Sequence, residues 1–111
     1  LPARVATRHG DLLSLPYSVE LNDIPVVMIQ HHNEEELPRR ARLQASRLIT
    51  EAEASAGVKI MCIAIHAYIS GVPHRIDALT ALFSEFASDP RVAFMQGDEI
   101  AAWYLASSDP A

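Results

Sequence analysis

The chain has 111 residues, half of them apolar, and carries a net charge of -5 at pH 7. This length accommodates no more than one domain, and the acidic balance, without a basic stripe interleaved with aromatic residues, argues against nucleic-acid binding. No apolar stretch approaches the roughly 20 residues needed to span a bilayer, so no membrane partner is expected. Cys62 is the only cysteine, which excludes an internal disulfide and favours a cytoplasmic location.

An edge strand is the first predicted element. Residues 12–19 are rich in strand-forming side chains, and Pro16 restricts this strand to a rim or edge position because proline lacks an N–H donor. The apolar segment Ile24–Ile29 follows, and its pattern is compatible with either a short strand or a packed turn.

A long helix is predicted next, because small and apolar residues recur at helical spacing along one face: Leu37, Ala41, Ala45, Leu48, Ile49 and Ala52. Asn33 and Glu36 have the spacing of a capping pair at its start, and Pro38 is tolerated only within the first turn. Gly57 occupies the usual position for a carboxyl-terminal cap.

The most informative stretch begins at residue 58. Residues 58–65 are apolar except for Lys59, a pattern typical of strands buried on both faces of a parallel sheet. His66 follows directly and begins a loop that contains Gly71 and Pro73. Catalytic groups of α/β folds gather at the carboxyl ends of such strands, and histidine exchanges protons near neutral pH. His66 is therefore either a catalytic group or a hydrogen-bonded histidine that ends a core strand.

The second half of the chain repeats the alternation of helix and strand. A helical stripe ends at Asp89-Pro90 and comprises Ile76, Leu79, Phe83, Phe86 and Ala87. Residues 91–95 predict a short third strand. Asp98 is then placed to cap a terminal helix that carries Ile100, Trp103 and Tyr104.

This order of elements predicts an α/β fold, a βαβαβα segment with parallel strands in right-handed βαβ units. A parallel sheet needs helices on both faces, and a barrel needs about eight strands to close, so three strands are incomplete. Because open strand edges are normally covered, we expect the chain to pair with the rest of a larger fold or to form a homo-oligomer.

Three groups of residues carry a resemblance to a known family. They are the run 16–23, the turn that starts at His66 and includes Gly71, Pro73 and Arg75, and the run 98–103. In order and spacing these groups resemble the carboxyl-terminal half of the polysaccharide deacetylase superfamily. They are most similar to the branch that contains cofactor-independent allantoinases and related deacetylases.

The resemblance implies a distorted (β/α) barrel, of which residues 1–111 would be a single partial domain, a partial (β/α) barrel without its amino-terminal half. It implies a hydrolase that cleaves non-peptide carbon–nitrogen bonds in N-acetyl sugars or ureide-like amides. His66 would be the general acid that protonates the leaving nitrogen. Asp23 would orient that histidine or contact the substrate, and Asn22, Tyr17 and Tyr68 would bind the substrate.

No cofactor or metal site is predicted in this chain. The resemblance implies that any divalent metal, such as zinc, would be bound by residues of the missing half. His31 and His32 are adjacent, and neighbouring side chains of an extended chain point to opposite sides, so these two are not expected to share one ion. Tyr68 and Val72 stand where members of the branch carry basic residues. Because these cations are absent, the identity of the substrate is left open.

Two functions from different classes therefore remain. In the first, the chain belongs to a deacetylase-like hydrolase with His66 as its acid. In the second, it is a non-catalytic or degenerate α/β module that acts in assembly or binding, and His66 is structural. A polypeptide with the hydrolase function would lose turnover when His66 is replaced, whereas the module would lose stability.

Overall fold

The structure, a computed structural model, describes residues 1–107. Its elements in chain order are β1 (Ala3–Thr7), β2 (Gly10–Ser14), a π-helix (Ile24–Ile29), α1 (Glu36–Ser55), α2 (Ile76–Ser88) and α3 (Gly97–Ala106). The described residues form two compact units. One contains Tyr17–Ala93, and the other contains Leu1–Pro16 together with residues 94–107.

The predicted partial (β/α) barrel with parallel strands is wrong. The only sheet within residues 1–107 is the antiparallel pair β1 and β2, and neither 58–65 nor 91–95 forms a strand. Parallel pairing within residues 1–107 is limited to two isolated bridges, one between Arg8 and Gly10 and one between Asn22 and Ala64. The run 58–65 is also less buried than its composition suggests, since Val58 and Ile65 are 52% and 42% exposed. Apolar composition signals burial of some side chains, but it does not by itself create a hydrogen-bonded ladder.

The hairpin replaces the predicted edge strand. Ala3 pairs with Ser14 and Thr7 with Gly10, so the two strands are joined through Arg8-His9. Gly10 has φ of +113°, a conformation that glycine adopts without steric cost. The strand predicted over 12–19 is confirmed only as far as Ser14 and ends before Pro16, which cannot donate to a ladder.

The ambiguous apolar segment is neither a strand nor a turn but the π-helix. Pro25 lies in its first turn, where a missing N–H is tolerated, and the Gln30 N–H bonds the Pro25 carbonyl at 2.9 Å. The Asn22 side-chain oxygen accepts a hydrogen bond from the Ile24 N–H at 3.0 Å. Val26 is fully buried and anchors the segment in the core.

The predicted long helix is confirmed as α1, and its apolar face packs as expected. Leu37, Ala41 and Ala45 are buried. Its ends differ in detail from the prediction, because Asn33 bonds the Glu35 N–H and the left-handed residue at the carboxyl end is Ala56 rather than Gly57. No helix within residues 1–107 combines the length and apolar character needed to cross a membrane.

The helix α2 is also confirmed, and it completes the core of the Tyr17–Ala93 unit. One cluster of buried apolar side chains joins the π-helix, α1 and α2, and it contains Leu21, Val26, Leu37, Ala41, Ala45, Leu82 and Phe86. Arg42 of α1 and Glu85 of α2 form a two-pronged ion pair at 2.8 and 2.9 Å on the surface. These contacts show that helix packing, rather than a parallel sheet, organises this unit.

The terminal helix is confirmed as α3, although Asp98 does not cap it. The first residue before the helix is Gln96, whose N–H donates to the Glu99 carboxylate at 2.6 Å. The Gln96 N–H lies at the start of the helix, where the helix itself offers no acceptor, so the Glu99 carboxylate satisfies it. Asp98 instead lies within the first turn, where an acidic side chain favours the positive end of the helix dipole.

Two carboxylates that are paired with arginine side chains predict a loss of stability in acid. The pKa of Glu36 is lowered from 4.5 to about 2 by hydrogen bonds from Arg39 and Arg40. The Arg91 guanidinium likewise lowers the pKa of Asp89 from 3.8 to about 2. Because both folded-state values lie below the unfolded ones, this stabilisation is present above about pH 4.5 and is lost as the pH falls toward 2.

We therefore expect the melting temperature to fall across this window and expect Glu36→Gln to make the fall shallower. Thermal unfolding followed at a series of pH values measures both slopes. Equal slopes for the two proteins would contradict the assignment of Glu36. Added salt should reduce the difference, because the pairs lie at the surface.

Candidate functional site

A single backbone bridge brings Asp23 next to the residues that precede His66. The Asp23 N–H donates to the Ala64 carbonyl at 3.1 Å, and the Ala64 N–H donates to the Leu21 carbonyl at 2.8 Å. Asp23 and Leu21 are both fully buried. The bridge therefore fixes a buried carboxylate beside the chain just before His66.

The Asp23 carboxylate accepts hydrogen bonds from three donors. Its Oδ2 atom accepts from the His66 N–H at 2.7 Å and from the Ser70 hydroxyl at 2.8 Å. Its Oδ1 atom lies 2.7 Å from Nδ1 of the His66 ring. Among residues 1–107, no buried side-chain oxygen or nitrogen lacks a hydrogen-bond partner. A buried acidic group held in this way is fixed in position and in orientation.

The His66 ring has one nitrogen engaged and one available. Because an ionised carboxylate only accepts hydrogen bonds, the ring nitrogen that faces Asp23 must carry the proton. No hydrogen-bond partner within residues 1–107 contacts the other nitrogen, Nε2, and the side chain is 37% exposed. Tyr68 packs edge-to-face against the ring, with centroids 6.1 Å apart. His66 is thus held on one side and open to a ligand on the other.

The loop after His66 is a compact turn rather than an open loop. The N–H groups of Ile69 and Ser70 both donate to the His66 carbonyl at 3.0 Å, and the Gly71 N–H donates to the Ala67 carbonyl at 3.1 Å. Ile69 is fully buried. Arg75 donates from its guanidinium to the Ile69 carbonyl at 3.0 Å. These bonds fix Ser70 relative to His66.

Gly71 is required by the close approach of the backbone within this turn. A Cβ atom at this position would lie 2.7 Å from the Ala67 carbonyl oxygen, which is too close for any side chain. We expect Gly71→Ala to lower the free energy of unfolding by about 1–3 kcal/mol, because the backbone must shift to admit the methyl group.

Urea denaturation of Gly71→Ala measures this loss, and Gly57→Ala is the matched control. At Gly57 the nearest atom to a new Cβ is the Ser55 hydroxyl at 3.0 Å, which belongs to a side chain that can rotate away. A loss at Gly71 no greater than that at Gly57 would contradict this description of the turn.

Two of the predicted substrate residues form a pair beside the dyad of Asp23 and His66. The Asn22 side-chain N–H donates to the Tyr17 hydroxyl at 3.0 Å, and Asn22 directly precedes Asp23. The Tyr17 and Tyr68 side chains are each 65% exposed. The structure therefore brings all five predicted site residues together through direct contacts or adjacency in the chain, and their roles toward a substrate stay predictions.

Ser70 is the site residue that sequence reasoning missed. As a possible nucleophile it lacks the glycine-x-serine-x-glycine context of a nucleophile elbow. Its contact with Asp23 spans 47 positions in the chain, so no local pattern reveals it. The only signal was its position next to Gly71, within one turn of His66.

The residues of this site do not form a metal-binding set. Both oxygens of Asp23 accept hydrogen bonds, and Nδ1 of His66 is engaged by one of them. Within residues 1–107 no group of three histidine, cysteine or acidic side chains is arranged to hold an ion. No chemical step is therefore assigned to a metal bound by these residues.

No protein-family model, curated protein or solved structure matches the chain. The resemblance to the polysaccharide deacetylase superfamily therefore stays a prediction, carried by the residues named above. The geometry around His66, Asp23 and Ser70 is the observation from which a function can be proposed.

Proposed function

We propose that this chain supplies the general acid of a hydrolase that cleaves non-peptide carbon–nitrogen bonds in small molecules, such as the amide of an N-acetyl sugar or a ureide. The observation that carries the proposal is the buried Asp23 carboxylate 2.7 Å from Nδ1 of His66, whose Nε2 has no partner within residues 1–107. The resemblance to deacetylases supports the same assignment of His66. We also propose that the protein is located in the cytoplasm.

The chemistry follows from the poor leaving ability of an amide nitrogen. Nε2 of His66 first takes a proton from solvent, which gives the imidazolium. A base outside this chain then takes a proton from water as the water oxygen bonds to the carbonyl carbon, and the carbon–nitrogen bond breaks as its electron pair takes the Nε2 proton. The ring returns to its neutral form with the proton on Nδ1, where Asp23 accepts the hydrogen bond. A positioned acid of this kind contributes roughly 10²–10⁴ to the rate.

A second group must activate the attacking water. Asp23 does not serve this purpose, because both its oxygens are engaged and it is fully buried. We propose that the base, or a divalent metal such as zinc, comes from a partner segment that these 111 residues do not contain. The exposed rings of Tyr17 and Tyr68 are proposed to contact the substrate.

The test is an assay of acetate, amine or ammonia release from N-acetylated sugars and ureides. We expect the isolated 111-residue chain to show no turnover, because it offers an acid without a base. The cellular assembly that contains these residues is expected to show turnover on at least one substrate of the panel. Turnover by the isolated chain would contradict the proposal that a partner supplies the base. An inactive assembly would contradict the hydrolase proposal.

A non-catalytic role in assembly or binding is the second candidate. It is favoured by the bonds that Asp23 accepts from the His66 N–H and the Ser70 hydroxyl, because these stabilise the turn whether or not the ring transfers a proton. In that case replacement of the His66 ring changes stability and leaves any activity of the folded protein unchanged. Turnover and melting temperature measured on the same variant separate the two functions.

A further inference from the structure

We propose that Ser70 is a positioning residue that fixes the Asp23 carboxylate and, through it, the His66 ring for proton transfer. This inference rests on the proposed function, because that function explains why the His66 ring has to be fixed. The arrangement itself is visible in the hydrogen bonds. The Ser70 hydroxyl donates to Asp23 and not to the ring, so this hydroxyl acts on the His66 ring through Asp23.

The distribution of donors on the carboxylate is the first argument. The Ser70 hydroxyl and the His66 N–H both donate to Oδ2, at 2.8 and 2.7 Å. Oδ1 is thereby left to the ring nitrogen at 2.7 Å. Two donors on one oxygen restrict the rotation of the carboxylate about its bond to Cβ. With a single donor on Oδ2, that rotation is less restricted.

The rigidity of the Ser70 position is the second argument. Ser70 is 8% exposed, and its own N–H donates to the His66 carbonyl at 3.0 Å. The absence of a side chain at Gly71 permits the close contact with Ala67 that closes this turn. The hydroxyl is therefore presented to Asp23 from a fixed backbone, as a preorganised supporting group requires.

The test is the solvent-exchange rate of the His66 Nδ1 proton, measured by NMR on the 111-residue chain. In Ser70→Ala we expect this rate to rise at least about tenfold, because the carboxylate that protects the proton has lost one of its two supports on Oδ2. Ser88→Ala is the matched control. Its hydroxyl also donates at 2.8 Å, but to the Ser84 carbonyl on the surface, and its removal should leave the rate unchanged.

Two further variants keep the test decisive. Ser70→Thr retains the hydroxyl and is expected to restore slow exchange. If Ser70→Ala does not fold, Ser70→Cys replaces it, because a thiol has similar shape and is only a weak donor. An exchange rate in the folded Ala or Cys variant equal to that of the unmodified chain would overturn the proposal. Fast exchange in Ser70→Thr would also overturn it.

This measurement does not require activity. If Ser70→Ala speeds exchange of the Nδ1 proton while His66→Ala leaves turnover unchanged, the positioning role stands and the hydrolase proposal fails. If His66→Ala abolishes turnover while Ser70→Ala leaves the ring proton unchanged, the hydrolase proposal stands and the role of Ser70 fails. The two ideas therefore succeed or fail independently.

Discussion

Replacing His66 by alanine is expected to lower turnover on a carbon–nitrogen substrate at least about 100-fold, with a smaller change in KM. In the proposed function the leaving nitrogen takes its proton from Nε2, the ring nitrogen without a hydrogen-bond partner within residues 1–107. The measurement is steady-state kinetics on the assembly that contains this chain. The backbone N–H of residue 66 still donates to Asp23 in the variant, so most of the fold is expected to persist.

His74→Ala is the control for this prediction. His74 is exposed and lies in the same turn region, but no contact joins it to Asp23 within the described residues. We expect its kinetics to equal those of the unmodified protein. An unchanged rate for His66→Ala, together with a lowered melting temperature, would instead assign His66 a structural role.

Replacing Asp23 by alanine is expected to lower the free energy of unfolding by about 3 kcal/mol or more. The change removes the shared acceptor of the His66 N–H, the His66 ring and the Ser70 hydroxyl, at a site that is fully buried. Buried donors without an acceptor lose their hydrogen bonds to water without compensation. Chemical denaturation gives the difference in free energy directly.

Two variants control for this effect. Asp11→Ala removes an exposed carboxylate from β2 and is expected to change stability by less than about 0.5 kcal/mol. Asp23→Asn keeps the size of the side chain but places a donor where one acceptor was, so we expect a loss smaller than that of Asp23→Ala. A loss for Asp23→Ala as small as that for Asp11→Ala would show that the network does not stabilise the fold.

The helices could be predicted from the sequence because their signals are local. In α1 the buried residues Leu37, Ala41 and Ala45 recur at the period of one helical face, and this pattern needs no knowledge of the partner. The helix ends were harder to predict. Ala56 adopts the left-handed conformation although Gly57 follows it, because the exact end of a helix depends on hydrogen bonds that several neighbouring residues can make.

The sheet could not be predicted, because strand pairing depends on partners distant in the chain. The run 58–65 has the composition of a buried parallel strand, but its one ladder contact is the bridge of Ala64 to Asn22. Met61 and Ile63 pack against the helical core instead. Conversely, β1 carries no strong strand signal, and its pairing with β2 follows from the short Arg8-His9 connection.

The candidate site was partly predictable. The sequence predicts His66 and Asp23 as site residues, and the structure places Nδ1 of His66 2.7 Å from Oδ1 of Asp23. The predicted setting is wrong in one respect, since His66 does not end a parallel strand. Ser70 was missed because a hydrogen bond between residues far apart in the chain leaves no mark on the local pattern.

The tautomer of the neutral His66 ring shows whether Asp23 holds the ring through Nδ1 and leaves Nε2 available to a ligand. A long-range ¹H–¹⁵N spectrum of the neutral ring identifies which nitrogen carries the proton. We predict the proton on Nδ1, because that atom faces the Asp23 carboxylate at 2.7 Å, and an unprotonated Nε2 that can exchange protons with a ligand. A proton on Nε2 would place two lone pairs against each other at Asp23 and would contradict the account.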